Sequence, residues 1–254
     1  RALLDTCSIP TINEFAKSDE ERERLAKALS SYHGGWFETR GSGFYPNCTG
    51  LDLASAYPYV MYFLQNPTKG IWIEGDIESE WWEWIEKREP YTMGFAEATI
   101  LFDADLDWYP LVQKAQSGTL VAPRLVRGWF TADELAEARQ WPHSQIIIGE
   151  WFYHFDNEPE YPFRKFIDKF YKIKMEASDD LVAYRVSKVA LNSIYGKTIQ
   201  AVNDVAGKLW NPFYAATITG GTRARLAELN RLNNFTAVSF ATDGIIFPSS
   251  EIKD

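Results

Sequence analysis

Apolar side chains at Leu25, Ala28, Leu29 and Tyr32 fall on one face of a 3.6-residue repeat, and Ser18 with Glu21 three positions later makes a capping-box pattern. The spacing predicts a helix over residues 18–33, stopped by Gly34-Gly35. Leu51 and Leu53 flank Asp52 as a short strand ending in an acid, and helical spacing resumes after Ser55. Thr131 and Glu134 repeat the capping box ahead of a helix to Gln140, and Ile146 to Ile148 read as a strand. From Pro162 to Met175 the pattern is helical and basic. Ser178-Asp179-Asp180 reads as a turn and N-cap, and a second helix runs over residues 181–195 to end at Gly196. Two helices joined by a short polar turn make an antiparallel hairpin. A further helix is predicted over residues 217–232, and residues 235–247 read as two short strands around a turn at Thr242-Asp243-Gly244.

Composition places this pattern in a soluble globular chain of one large domain or two smaller ones. The 254 residues are 46% hydrophobic and 24% charged, and no apolar run approaches the ~20 residues of a membrane span. Cys7 and Cys48 have no zinc-ligand spacing, and no secretory leader opens the chain, so reduced thiols and a cytoplasmic location are expected. The net charge of −9 argues against a nucleic-acid surface until it is divided along the chain. Residues 71–110 carry eleven acids against Lys87 and Arg88, together with five of the ten Trp, so this island accounts for the whole −9. Residues 161–188 carry seven basic and four acidic side chains.

Taken singly, an Asp at a strand end is a cap, a Lys on a helix face is a solvated charge, and Asp-Gly is a hairpin turn. Their order is more specific. Asp52 begins DLASAYP, Lys188 begins KVALNSIYGK, and Asp243 sits in ATDGII. These segments resemble the three polymerase motifs of family B DNA polymerases, DxxSLYP, KxxxNSxYG and YxDTDS. Tyr32-His33-Gly34-Gly35 and the basic segment FRKFIDKFYKIK resemble elements of the protein-primed branch found in phages and linear plasmids, with residues 63–160 filling that branch's insertion slot. Gly196-Lys197-Thr198 is not a P-loop, because Leu191 stands where its first Gly is required.

The resemblance implies an α+β fold: a polymerase palm whose antiparallel sheet bears the carboxylates, helical-hairpin fingers, and an α/β insertion. It divides the chain into residues 1–62 (N-terminal segment and first part of the palm), 63–160 (an insertion resembling the terminal-protein-interacting region), 161–198 (fingers) and 199–254 (second part of the palm). The expected activity is template-directed transfer of dNTPs to a 3′-hydroxyl by a two-metal mechanism. Asp52 and Asp243 are the implied catalytic carboxylates, and with the Leu53 carbonyl they hold two Mg²⁺ ions, or Mn²⁺ in their place. Tyr57, Lys174, Lys188, Asn192 and Tyr195 are the implied nucleotide-binding residues, Tyr57 as the gate against a ribose 2′-OH. Lys169, Arg223, Tyr32, Gly34 and Gly35 are further candidates for phosphate or DNA contacts. The implied partners are a DNA template-primer, dNTPs and a terminal priming protein, with no membrane, inside a cell hosting a phage or mobile element.

The chain departs from the pattern where Ala241 replaces the first acid of the last motif, Gly244 its Ser, and Ala56 the Leu of the first. A proofreading exonuclease domain and most of a thumb are expected to be absent, with low processivity as the consequence. The rival readings are a catalytically impaired polymerase-derived scaffold that binds nucleic acid or protein, an unrelated metal-dependent phosphoryl-transfer enzyme and, more distantly, a sugar-active protein.

Overall fold

The computed structural model describes residues 9–41, 43–103, 105–177, 180–203 and 205–251. Cys7, Ser178 and Asp179 lie outside these described residues. Strands β1 (Trp36–Thr39), β2 (Cys48–Asp52), β7 (Ser239–Thr242) and β8 (Gly244–Pro248) form an antiparallel sheet in the order β1-β7-β8-β2. A second antiparallel sheet, ordered β3-β6-β4-β5, is built from β3 (Ile71–Gly75), β4 (Gly94–Phe102), β5 (Leu125–Thr131) and β6 (Ser144–Phe155). The fold is therefore α+β. Helix α1 (Asp19–Ser30) starts on the predicted cap: Glu21 N–H donates to Ser18 Oγ at 3.1 Å, and Ser18 N–H donates to Glu21 Oε2 at 2.8 Å.

Helix α2 (Ala56–Tyr62) follows β2 directly, and helices α3 (Glu78–Lys87) and α4 (Ala132–Ala138) accompany the second sheet. Helices α5 (Arg164–Glu176) and α6 (Leu181–Lys197) form the expected hairpin, with Asp180 Oδ1 accepting from the N–H groups of Val182 and Ala183 at 3.0 Å each. Arg164 fastens the hairpin's base, its Nε donating to the Tyr62 carbonyl at 3.1 Å.

Helix α7 (Pro212–Leu232) is the axle of the molecule. Sixteen of its 21 residues are buried, with Arg225 and Leu232 exposed towards its C-terminal end, so the polar groups of its buried turns must be satisfied internally. Thr217, Thr219 and Thr222 return their hydroxyl protons to carbonyls four residues earlier, at 2.8, 2.9 and 2.9 Å. Gly220 permits a close approach to the second sheet, where a Cβ would lie 2.3 Å from Thr131 Oγ1. On one side of α7, Trp36 stacks on Phe240 with centroids 3.9 Å apart, and Trp108 packs edge-on against both. Trp108 also donates its indole N–H to the Ala237 carbonyl at 2.8 Å. A second apolar cluster joins Phe95, Phe152, Phe163, Phe213, Leu191 and Ile194 beneath the helical hairpin.

Five of the eleven acids of the acidic island pair with arginines from outside it. Glu74 pairs with Arg24, Glu86 with Arg139, Glu97 with Arg127, Asp103 with Arg124 and Asp107 with Arg40. Among the described residues no helix is long and apolar enough to cross a membrane.

Candidate active site

The two motif acids lie at the same end of the β2–β8 ladder, Asp52 as its last β2 residue and Asp243 in the turn before β8. Asp52 is in register with Gly244, and the Leu53 N–H donates to the Asp243 carbonyl at 2.9 Å. The turn that delivers Asp243 is tight: Thr242 takes a left-handed φ of 58°, and the Asp243 N–H donates to the Ala241 carbonyl at 2.8 Å. A Cβ on Gly244 would lie 3.9 Å from Asp52 Oδ1, so the Asp52 carboxylate leans over the residue next to Asp243. Register puts Phe37, Ala241, Gly244 and Asp52 in one row, and strand alternation sends the side chains of Phe37, Ala241 and Asp52 to the same face. That face is open, with Phe37 64% exposed. Ala241 contributes only a methyl at the position where an additional acid would have entered this row.

The Tyr-x-Gly-Gly element closes the site from behind. Gly34 has a φ of 81°, which a side chain would oppose. At Gly35 a Cβ would lie 3.1 Å from Thr242 Cγ2 and 3.4 Å from the Tyr57 hydroxyl. Tyr57 stacks on Tyr195 of α6 with centroids 4.5 Å apart, and the Tyr195 hydroxyl lies 3.2 Å from that of Tyr32. Burial, followed by the nearby Asp243 charge, pushes the Tyr57 phenol up to about 12. Burial and the Tyr32 hydrogen bond raise Tyr195 as well. Both phenols are thus neutral hydrogen-bonding groups at neutral pH.

The candidate cations divide by position. Lys174 reaches the site, its ammonium donating to Ser55 Oγ at 3.0 Å, and Ser55 has a left-handed φ of 55° ahead of α2. Lys188 and Asn192 are exposed on α6, one helical turn apart, and make no hydrogen bond or ion pair among the described residues. Lys169 is exposed on α5, beside the Phe170 ring.

Arg223 is corrected by the structure: it is not an accessible phosphate contact. Its side chain is 1% exposed, and its Nε and Nη2 donate to Glu134 Oε1 at 3.0 and 2.7 Å. Its Nη1 donates to the Gly34 carbonyl. Burial pushes the Glu134 carboxyl up, but the Arg223 charge, the neighbouring His33 and hydrogen bonds from Arg223 and Thr131 outweigh it and hold the group below its usual value. Gly34 and Gly35 therefore face inward and brace the site, and Tyr32 bridges to Tyr195. Glu134 was not singled out as a site residue; the available signal was an Arg set among the small residues of TGGTRA, where a buried charge requires a partner.

Among the described residues no group of three or more His, Cys, Asp or Glu is assembled for a metal. The oxygens that are present suit a hard divalent ion: neither Asp52 nor Asp243 is paired with a cation, and Asp243 Oδ1 accepts only from Thr242 Oγ1, at 2.8 Å. The Leu53 carbonyl accepts from the Ala56 N–H at 3.2 Å and keeps a second lone pair.

An antiparallel sheet with Asp52 on its open face and Asp243 in the adjoining turn, overhung by a basic helical hairpin, has the architecture of the polymerase-palm class of α+β proteins. The chain belongs to the family of DNA polymerase type B, organellar and viral, whose model matches residues 27–208. A probable DNA polymerase of Ascobolus immersus is 28% identical over 176 residues, 66% of this chain and 13% of that one. A probable DNA polymerase of Neurospora intermedia is 25% identical over 214 residues, 77% of this chain and 21% of that one. The structure of Phi29 DNA polymerase with primer-template DNA, a post-translocation binary complex, superposes with a TM-score of 0.64 at 17% identity, covering 91% of this chain and 44% of that one. The ternary complex of Phi29 DNA polymerase with primer-template DNA and incoming nucleotides gives 0.62 at 15% identity, covering 93% and 45%. The chain thus spans less than half the length of these relatives.

Proposed function

We propose that this chain carries the nucleotidyl-transfer centre of a template-directed DNA polymerase, with residues 1–62 and 199–254 as palm, 161–198 as fingers and 63–160 as insertion. The observation that carries the reading is the pair of cation-free carboxylates, Asp52 at the end of β2 and Asp243 in the turn that leads into the paired strand β8, beside the Tyr57–Tyr195 stack. Divalent ions held by Asp52, Asp243 and the Leu53 carbonyl would supply charge neutralisation for the attacking and leaving oxygens. The chain's own side chains do the rest. Lys174 and Lys188 contribute positive charge toward a triphosphate, and Asn192 adds an amide on the same face of α6. Tyr57 sits beneath the sugar position, where its ring leaves no room for a 2′-hydroxyl. Tyr195 presents a flat face to the base pair, which tolerates any base. A terminal protein supplying the priming hydroxyl from the 63–160 side is an extension of this reading.

Ala241 favours a second reading, a polymerase-derived scaffold with impaired chemistry. Primer extension on a templated duplex with Mg²⁺ or Mn²⁺ separates the two. Asp52→Asn and Asp243→Asn are each expected to lower the rate by on the order of 10³-fold, equivalent to several kcal/mol of lost charge stabilisation. Extension by Asp243→Asn at the parent's rate would instead establish the scaffold.

A further inference from the structure

Helix α2 carries Tyr57 but is only seven residues long, so packing and not intrinsic propensity must hold it in place. Two positions along a helix turn a side chain by about 200°, which puts Tyr57 and Tyr59 on opposite sides of α2. On the Tyr57 side lies the Tyr195 ring. On the Tyr59 side lies Tyr91, from the turn between α3 and β4: its ring meets Tyr59 edge-on with centroids 5.9 Å apart and Phe63 at 5.8 Å. The same ring rests on α7 at Gly221, where a Cβ would lie 2.8 Å from Tyr91 Cδ1. Gly220-Gly221 thus gives α7 two close approaches, one to Thr131 and one to Tyr91.

Tyr91 is held in a conformation that a bulky side chain resists, with a left-handed φ of 60°. Such a backbone persists only where the surroundings over-determine it. Here Asp133 Oδ1 accepts from the Tyr91 N–H at 3.4 Å and from Arg88 Nη2 at 2.8 Å, and Arg88 Nη1 donates to the Glu89 carbonyl at 3.2 Å. The Arg88 and Asp133 side chains are only 6% and 11% exposed, so this anchor is shielded from solvent. Beside it lies a cavity of about 680 Å³, bordered by Tyr91 together with Leu53, Ala56, Tyr59, Gly221 and Arg225. Without the Tyr91 ring, α2 has room to settle toward that cavity and away from Tyr195. We propose that Tyr91 is a positioning residue for sugar selection: wedged between α7 and α2, it sets how closely α2 holds the Tyr57 ring against the nucleotide sugar. The proposal rests on the polymerase reading above, with Tyr57 as the gate against a 2′-hydroxyl. The ring is the working part, because the Tyr91 hydroxyl makes no hydrogen bond among the described residues.

The test is titration of the full chain, on a primer-template with a dideoxy-terminated primer and Mg²⁺, with dCTP and with CTP opposite a template guanine. No catalysis is needed, and the readout is the ratio of the two Kd values. Tyr91→Gly removes the ring without adding backbone strain, and is expected to lower the preference for dCTP about tenfold, through tighter binding of CTP. Tyr91→Phe keeps the ring and should keep the parent's preference. A merely structural role would weaken both nucleotides in proportion and leave the ratio untouched. That result overturns the proposal, as does a loss in Tyr91→Phe equal to that in Tyr91→Gly. Because Tyr91 acts through Tyr57, the double variant Tyr57→Val/Tyr91→Gly should discriminate no worse than Tyr57→Val alone, whereas multiplied losses would overturn the proposal. If Tyr57→Val lowers the preference and Tyr91→Gly does not, the gate stands and the wedge falls. If Tyr57→Val leaves the preference at the parent's value, the gate falls and the wedge with it. Absence of templated nucleotide binding by the parent removes the polymerase reading itself, and the proposal with it.

Discussion

The two sheets of this protein are built differently. In the sheet that carries Asp52 the strands are four or five residues long and one face is open; in the other, edge strand β3 has five residues but the remaining three run to seven, nine and twelve over an aromatic core. Two of the left-handed residues flank the motif acids. Ser55 and Thr242 lie within three positions of Asp52 and Asp243, whereas Tyr91 and His143 of the second region sit in connections outside its strands. Strain near a reactive group is a recurrent property of functional sites. A short, strained, half-open sheet cannot hold such geometry by itself, and here the second region supplies the support. Trp108 packs on the site sheet's covered face, and Glu134 holds the arginine that holds the Gly34 turn.

The strongest way to break this division of labour is at Glu134. Removing it leaves the Arg223 guanidinium buried without a counter-charge, and Glu134→Ala is expected to cost about 3–5 kcal/mol in guanidinium unfolding. The double variant Glu134→Leu/Arg223→Met removes both charges and should recover most of that stability. It still lacks the donor to the Gly34 carbonyl, so primer extension should remain impaired. Recovery of both stability and extension would show that the pair supports the fold alone.

A somewhat smaller effect is expected with pH. Burial, then the Arg223 charge, lowers His33 to about 4 from its ordinary 6.5. A group whose folded pKa is depressed contributes stability that is present above 6.5 and lost as pH falls toward 4, up to about 3 kcal/mol. Glu134 acts in the same direction, but only below the ordinary carboxylate range, so the loss between pH 6.5 and 4.5 comes from His33 together with His154, which burial also lowers. His33→Gln should flatten the stability curve in that interval, as read by denaturant midpoints at stepped pH. A curve as steep as the parent's would place the acid sensitivity elsewhere.

Features with local causes were legible in the sequence, and features with distant causes were not. The Ser18–Glu21 cap and the helical hairpin each follow from residues a few positions apart, and all are present. Helix α7 begins at Pro212, not at 217, because Asn211 caps it: the Asn-Pro signal was in the sequence, ahead of the apolar repeat. Strand β6 runs for twelve residues where Ile146 to Ile148 had suggested a short one. It is central in its sheet, and a register shift opposite Ala96 and Ala98 breaks the alternation that would have revealed its length. Strands β3, β4 and β5 had no counterpart in the pattern: β3 and β4 lie in the acidic island, where Glu74 and Glu97 interrupt their apolar residues, and in β5 Arg127 and Gly128 break up the apolar run. The motif acids could be located, but their meeting depends on strand order, and the partner of Arg223 lies 89 positions away. Local pattern has no access to either.

The smallest expected effect addresses strain directly. Ser55 combines a left-handed backbone with a hydroxyl that accepts from Lys174, so a single substitution there mixes two effects. Two substitutions separate them. Ser55→Ala and Ser55→Gly both delete the hydroxyl, and each should raise the nucleotide KM severalfold as Lys174 loses its anchor. Only glycine relieves the backbone. A Cβ in the left-handed region costs roughly 1–2 kcal/mol, and part of that gain is offset by the greater freedom of glycine in the unfolded chain. Ser55→Gly should therefore be more stable than Ser55→Ala by roughly 1 kcal/mol while matching it in KM. Equal stabilities would mean that position 55 carries no strain, and the contrast between the two sheets would then rest on strand length and exposure alone.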